Sequence, residues 1–163
     1  MTHVYLSLGS NIDREHNIRS GLDALAQHFG ELLLSPVYES AAVGFSGEPF
    51  LNLVAAIDTD LSVAELLDLL HVIEADHGRT RGEKKYSSRT LDIDILTYDK
   101  AVGVIDGVEL PRGEILRHAF VLKPLVDIAA NEQHPLLGKT YAQLLQEKDF
   151  SAQSLWQVPF AWP

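Results

Sequence analysis

The sequence predicts an α+β sandwich with the ferredoxin-like order β-α-β-β-α-β, extended by a C-terminal hairpin and short helices. Three observations carry that prediction. Segments with period-two alternation and segments with helical spacing follow one another in this order. The 163 residues, 46% of them hydrophobic, are enough for a proper core. No linker, internal repeat or low-complexity stretch divides the chain, so residues 1–163 are expected to form a single domain.

Residues 2–8 alternate, with Val4, Leu6 and Leu8 on one face and Tyr5 and Ser7 on the other, which predicts a first strand. Gly9-Ser10-Asn11 then turns the chain. Asp13 is a plausible N-cap for a helix in which Ile18, Leu22, Leu25, Ala26 and Phe29 recur at helical spacing until Gly30 stops it. Residues 32–38 read as a strand interrupted by Pro36, which argues for an edge position or a bulge. The small-residue stretch 39–49 is long for a hairpin turn and is a candidate functional loop. Residues 50–59 read as a third strand. Ser62-Val-Ala-Glu65 is a capping box opening a helix with Leu66, Leu69, Leu70 and Ile73 on its apolar face, ending near Gly78. A cationic loop leads into a strand carrying Asp92 and Asp94. Beyond it, residues 101–110 predict a hairpin about Asp106-Gly107, and residues 120–130 and 140–147 predict short helices. Both helices of the repeat are expected on one face of the sheet, and the apolar tail 156–163 is expected to pack back on the domain.

The formal net charge of −10 opposes binding to a nucleic-acid backbone. The basic residues are nevertheless concentrated: Arg79, Arg81, Lys84, Lys85 and Arg89 are five of thirteen. A basic loop on an acidic body suits a small polyanion. The absence of cysteine excludes disulfides, thiol catalysis and cysteine-bound zinc. No apolar run approaches the roughly 20 residues of a membrane span, and residues 1–10 lack the pattern of a signal peptide, so a cytoplasmic protein is expected. The phosphate loop Gly-x-x-x-x-Gly-Lys-Ser/Thr, Gly-x-Gly-x-x-Gly, Gly-x-Ser-x-Gly and His-Glu-x-x-His are all missing.

Asp92 and Asp94 share one face of their strand, while Leu91, Ile93 and Ile95 point into the core. Two like charges so placed favour a proton or a bridging cation. Mg²⁺ fits, because it takes oxygen ligands and arrives with phosphates and waters completing its shell. Leu91, Ile93, Ile95 and Leu96 together read as a central strand, in which two carboxylates need a compensating cation. Arg79, Arg81 and Arg89 are placed to hold phosphate oxygens, a task the planar guanidinium fork suits, and their loop is suited to closing over a triphosphate. Asn52, among Phe50, Leu51, Leu53 and Val54, is a buried amide that either finds backbone partners or reads a heterocycle. Phe50, Tyr86 and Phe120 are core or surface aromatics or stacking partners, and Glu74 is either a solvated helix residue or part of the site.

With these residues placed, the chain resembles the 6-hydroxymethyl-7,8-dihydropterin pyrophosphokinase family. The resemblance runs from Leu6-Ser-Leu-Gly-Ser-Asn11 through Phe50-Leu-Asn52, Ile73-Glu74 and Arg79-x-Arg81 to Arg89-Thr-Leu-Asp-Ile-Asp94 and Phe120-Val-Leu-Lys-Pro-Leu125. It implies transfer of pyrophosphate from ATP to a pterin alcohol in folate biosynthesis, on a ferredoxin-like core. It implies two Mg²⁺ ions on Asp92 and Asp94, with Arg79 and Arg89 as catalytic arginines. Glu74, Arg81, Arg112 and His118 fall on the nucleotide side. Gly9, Asn11, Ser40, Val43, Phe50, Asn52, Tyr86 and Phe120 fall on the pterin side, with Phe50 and Phe120 sandwiching the ring. The expected partners are a small pterin and ATP, with no nucleic acid and no membrane, and a monomer is expected.

The chain departs from the family pattern at several positions. Pro111-Arg112-Gly113 replaces a Pro-His element, and His118 stands where an arginine is usual. Tyr86 stands for a tryptophan, Ser87-Ser88 for Gly-Pro, and Ser40-Ala41 for Thr-Pro, while the aspartate of the Pro-Asp-Tyr/Phe-Leu-Asn block is missing from Glu48-Pro-Phe-Leu-Asn52. Arg112 is the candidate to replace the cation lost at His118. Two alternatives stay open at this point: a paralogue acting on another pterin-like alcohol, and a catalytically silent nucleotide- or pterin-binding protein.

Overall fold

A computed structural model describes residues 1–41, 47–78 and 90–163. Strand β1 (Thr2–Ser10) is followed by helix α1 (Arg14–Phe29), strands β2 (Leu33–Leu34), β3 (Val37–Ser40) and β4 (Phe50–Thr59), helix α2 (Val63–Asp76) and strand β5 (Asp92–Tyr98). A hairpin of β6 (Gly103–Ile105) and β7 (Val108–Leu110) leads to helices α3 (Glu114–Arg117), α4 (Ala119–Ala129) and α5 (Tyr141–Glu147), and β8 (Leu155–Val158) ends the series. The main sheet runs β5-β1-β4-β3-β8, with β2 beside β4. Its pairings are antiparallel, and β1 lies between β4 and β5 as the split βαβ order requires.

Alternation along the strands sends side chains into two cores. Val4, Leu6, Leu8, Leu51, Leu53, Leu91, Ile93 and Ile95 meet Ile18, Leu22 and Leu25 of α1 and Leu66, Leu70 and Ile73 of α2. Tyr5, Val54, Ala56 and Leu96 face the opposite way, toward Val121, Leu122 and Leu125 of α4 and Tyr141 and Leu144 of α5. Both helices of the repeat therefore cover one face, as predicted, and the C-terminal helices cover the other. This explains why β4 is buried without a break from Leu51 to Ile57. Each fully buried leucine contributes about 1.5–3 kcal/mol from area alone.

The hairpin turn holds Asp106 at φ 52° and Gly107 at φ 80°, the pair of positive angles a two-residue turn between twisted strands needs. Ser62 caps α2 with the predicted reciprocal bonds to Glu65, and Thr140 with Gln143 does the same for α5.

Several expectations are corrected. Strand β1 extends through Ser10 instead of turning at Gly9. Asp13 occupies the N-cap of α1 at φ 44°, but its side chain makes no capping bond; Asn17 instead donates through Nδ2 to the Ile12 carbonyl at 2.7 Å. The strand predicted over 32–38 is broken in two. Pro36 has no N–H to pair, and Ser35 spans the break, its N–H donating to the Val54 carbonyl and its Oγ accepting from the Val54 N–H, each at 2.9 Å. β3 is not an edge, because β8 pairs with it. β5 is not central: it ends the sheet, and its apolar residues reflect cover on both faces. No central position therefore demands a cation at Asp92 and Asp94, whose own surroundings decide their chemistry.

The tail does pack back. Trp162 Nε1 donates to Asp23 at 2.9 Å, and the Arg19 guanidinium lies 4.7 Å from the Phe160 ring centre while Arg19 Nε donates to the Ala161 carbonyl. No described helix is long and apolar enough to cross a membrane.

His134 organises the turn before α5. It is only 2% exposed, and its Nδ1 accepts the N–H groups of Leu136 and Leu137 at 3.3 and 3.2 Å. Burial pushes its pKa below the ordinary 6.5. The unfolded chain therefore binds a proton below pH 6.5 that the folded chain refuses, and stability present above that pH is lost as pH falls toward the folded value. Urea midpoints measured at pH 7 and pH 5 should drop more for the wild type than for His134→Asn, which keeps an acceptor and does not titrate. Equal drops would show that His134 is not the titrating group.

Candidate active site

The two-residue period that builds the cores also gathers the candidate residues. Gly9, Ser40, Phe50, Asn52, Asp92 and Asp94 have the parity of Tyr5, Val54 and Leu96, so they share the sheet face covered by α4. They lie at one end of it. Gly9 pairs with Asn52 on one side and with Asp92 on the other, Asp94 pairs with Ser7, and Ser40 pairs with Phe50. Two strand spacings put the Asp92 and Asn52 backbones about 10 Å apart across Gly9. Gly9 lies against this row, since a Cβ there would be in van der Waals contact with Asn52 Oδ1 at 3.4 Å and the Phe50 ring at 3.7 Å.

On one flank, Asn52 is 5% exposed and its Nδ2 donates to Ser40 Oγ at 2.7 Å. Its partner is thus a side chain from the same candidate set. Asn11 is also buried and donates to the Glu48 carbonyl at 2.9 Å. Arg14 reaches Glu39 at 2.9 Å and the Pro49 carbonyl at 3.1 Å, and Glu39 accepts from Trp156 Nε1 at 3.1 Å. The segment entering β4 is therefore held from α1, and β3 is held by β8. Sequence reasoning missed this clamp, whose members lie far apart in the chain.

On the other flank, Asp92 and Asp94 are partly exposed. Glu74 approaches β5 from the α2 side, where it is 6% exposed and accepts the Ile93 N–H through Oε2 at 2.8 Å. That N–H belongs to the residue between the two aspartates and to the last strand of the sheet. Glu74 thus supports the backbone that carries the carboxylates. The Arg112 guanidinium lies 3.6 Å from Asp94 Oδ1, and its Nε contacts Glu114. Burial works against the Arg112 charge, but Asp94, Glu114 and Asp92 outweigh it and hold its pKa above the ordinary value. Glu114, which the sequence did not single out, also receives Arg117 at 2.8 Å.

His118 precedes α4 and its ring stacks on Phe120 with centres 4.7 Å apart. The expected site residues Arg79, Arg81, Tyr86, Arg89 and Val43 lie outside the described residues.

The donor set fits Mg²⁺ of one kind. Among the described residues no three carboxylates or histidines gather as a metal cluster. Two carboxylates on one partly exposed face instead suit an ion that draws its remaining ligands from phosphate and water.

The chain matches the family described as 7,8-dihydro-6-hydroxymethylpterin-pyrophosphokinase over residues 5–130. It is 37% identical over 136 residues to a 2-amino-4-hydroxy-6-hydroxymethyldihydropteridine pyrophosphokinase of Pseudomonas aeruginosa, covering 81% of this chain and 83% of that protein. The protein of the same name from Bacillus subtilis is 38% identical, covering 77% of each. The one from Porphyromonas gingivalis is 39% identical, covering 79% of this chain and 92% of that protein. Among solved structures, the Plasmodium falciparum HPPK-DHPS wild type with pterin and p-hydroxybenzoate superposes with a TM-score of 0.72 at 14% identity, over 90% of this chain. The chain spans 43% of that longer chain, and at this identity the likeness concerns the fold.

Proposed function

The chain belongs to the 7,8-dihydro-6-hydroxymethylpterin-pyrophosphokinase family, enzymes of folate biosynthesis that use ATP as co-substrate, and from that premise we propose how its residues divide the work. The reaction is transfer of the diphosphoryl group of ATP to the hydroxymethyl oxygen of 6-hydroxymethyl-7,8-dihydropterin, giving the pterin diphosphate and AMP. The oxygen attacks the β-phosphorus in line and AMP departs. In such transfers positioning and charge neutralisation carry the rate, and no strong general base is required.

Asp92 and Asp94 hold the metal at the phosphate end of the row. Mg²⁺, two ions in this reading, would be held there and would supply positive charge to neutralise the transferring phosphates. Arg79 and Arg89 neutralise the transferring phosphates, while Arg81, Arg112 and His118 contact the nucleotide and Glu74 steadies β5 beneath it. Asn52, Asn11, Ser40 and Gly9 read the pterin edge, Phe50 and Phe120 stack on its ring, and Val43 and Tyr86 complete that side. The observation that supports this reading is the row Asp92, Gly9, Asn52 on one sheet face, with the Asp92 and Asn52 backbones about 10 Å apart. Residues 1–163 act as one catalytic unit, monomeric and cytoplasmic, which light scattering and cell fractionation test.

The function is tested by following AMP. Formation that requires Mg²⁺ and 6-hydroxymethyl-7,8-dihydropterin supports the reading; AMP formed only with another acceptor, or saturable binding with no turnover, replaces it. Within it, Asn52→Ala should raise the pterin KM by roughly 10–100-fold with a smaller change in kcat, because a site built to hydrogen-bond a ring loses most when one partner is removed. An unchanged pterin KM would remove Asn52 from that role.

A further inference from the structure

Two carboxylates two residues apart on one strand face repel each other, and something must offset that repulsion before nucleotide arrives. Among the described residues Arg112 is a group placed to do so. Its backbone is fixed, with its N–H donating to the Leu96 carbonyl at 2.8 Å and its carbonyl accepting from the Ile115 N–H at 3.2 Å. Its side chain is held at two points of unequal character. Nε makes close contact with Glu114, whereas the terminal nitrogen stands 3.6 Å from Asp94, a charge contact and not a tight hydrogen bond. Both Arg112 and Asp94 are about one-third exposed, so the tip of the arginine has room to turn about the Glu114 contact. Should it turn away altogether, Glu114 keeps Arg117 at 2.8 Å.

We infer that Arg112 is a tethered counter-cation for Asp92 and Asp94, which yields the carboxylates to metal when nucleotide phosphates offer it a second partner, and so couples metal entry to nucleotide binding. The inference rests on the function proposed above. A guanidinium carries one charge and coordinates nothing; a divalent ion carries two and binds the carboxylate oxygens directly, so metal displaces it at a cost. A phosphate lowers that cost, because the arginine fork exchanges a single loose carboxylate contact for paired phosphate oxygens. By linkage, nucleotide then tightens metal binding by the same factor as metal tightens nucleotide binding. The substitution of arginine within Pro111-Arg112-Gly113 acquires a role in this scheme: it sets the order of assembly in addition to touching the nucleotide.

The probe is Mn²⁺, titrated by electron paramagnetic resonance into the full-length wild type, Arg112→Gln, Arg112→Lys and Asp94→Asn, without nucleotide and with α,β-methylene-ATP. Without nucleotide, Arg112→Gln should bind Mn²⁺ about tenfold tighter than the wild type, with Arg112→Lys in between. The analogue should tighten Mn²⁺ binding in the wild type by a larger factor than in Arg112→Gln. Equal or weaker Mn²⁺ binding by Arg112→Gln without nucleotide, or an undiminished tightening by the analogue, overturns the inference. Asp94→Asn separates the two levels. If it abolishes the Mn²⁺ site while Arg112→Gln changes nothing, the inference alone falls. If the site survives Asp94→Asn with the analogue present, the metal assignment of the proposed function falls and the inference with it.

Discussion

Asp94→Asn is expected to lower kcat/KM for diphosphoryl transfer by about 10³-fold, because in the proposed function it removes a charge that would hold metal against the transferring group. The fold should survive. The Asp94 side chain is 31% exposed and its pairing with Arg112 is a partly exposed ion pair, worth under about 1 kcal/mol, so the melting temperature should move by no more than about 3 °C. Asp92→Asn should behave alike, and the double variant should be little worse than either, since residues that serve one metal site act as a unit. AMP release at saturating ATP and pterin, beside a thermal melt, checks all three. Activity within tenfold of the wild type for Asp94→Asn would mean that the metal is held elsewhere.

Glu74→Ala should be the most damaging change that does not touch a reacting group. The carboxylate is buried and accepts the Ile93 N–H at 2.8 Å. Its loss leaves that N–H unsatisfied on the strand that carries Asp92 and Asp94 and opens a cavity between α2 and β5. A charged hydrogen bond of this kind is worth about 1.5–3 kcal/mol, and with the cavity the total should reach about 3 kcal/mol. In a chain of this length that is roughly 6–12 °C in Tm. Glu74→Gln keeps an acceptor oxygen and should lose less than half as much. The diagnostic comparison is between the two variants: equal melting temperatures would show that the hydrogen bond to β5 does not carry the effect.

Local patterns explain why parts of this architecture were legible in the sequence. The alternation Val4, Leu6, Leu8, the capping box at Ser62 and Glu65 and the turn residues Asp106-Gly107 each act within a few positions, and each stands as expected. The common face of Asp92 and Asp94 followed from the pleat alone. Pairings between distant segments left no such mark. Nothing local states that residues 155–158 join β3, or that β5 ends the sheet, because a strand covered on both faces has the same apolar composition at an edge as in the middle. Asn52 was legible as a buried amide needing a partner, but Ser40 as that partner was not, since it depends on the register of β3 against β4. The same holds for Arg112, whose contact with Asp94 crosses from the segment after β7 to β5.

Strand β8 also gives the fold a history. It pairs with β3 across about 115 residues, so at the usual 5–20 residues per second roughly 6–23 s of synthesis separate the two strands. Through that interval the outer edge of β3 carries unsatisfied backbone groups, the kind of edge that recruits foreign strands. Its brevity, four residues closed off by Pro36, limits that hazard. The wall carrying Glu39 and Ser40 is therefore finished late, while the partners of Asp92 and Asp94 on β1 and α2 have already been made. Nascent chains should acquire the Asp92 and Asp94 flank of the sheet before the outer edge at Glu39 and Ser40 is closed.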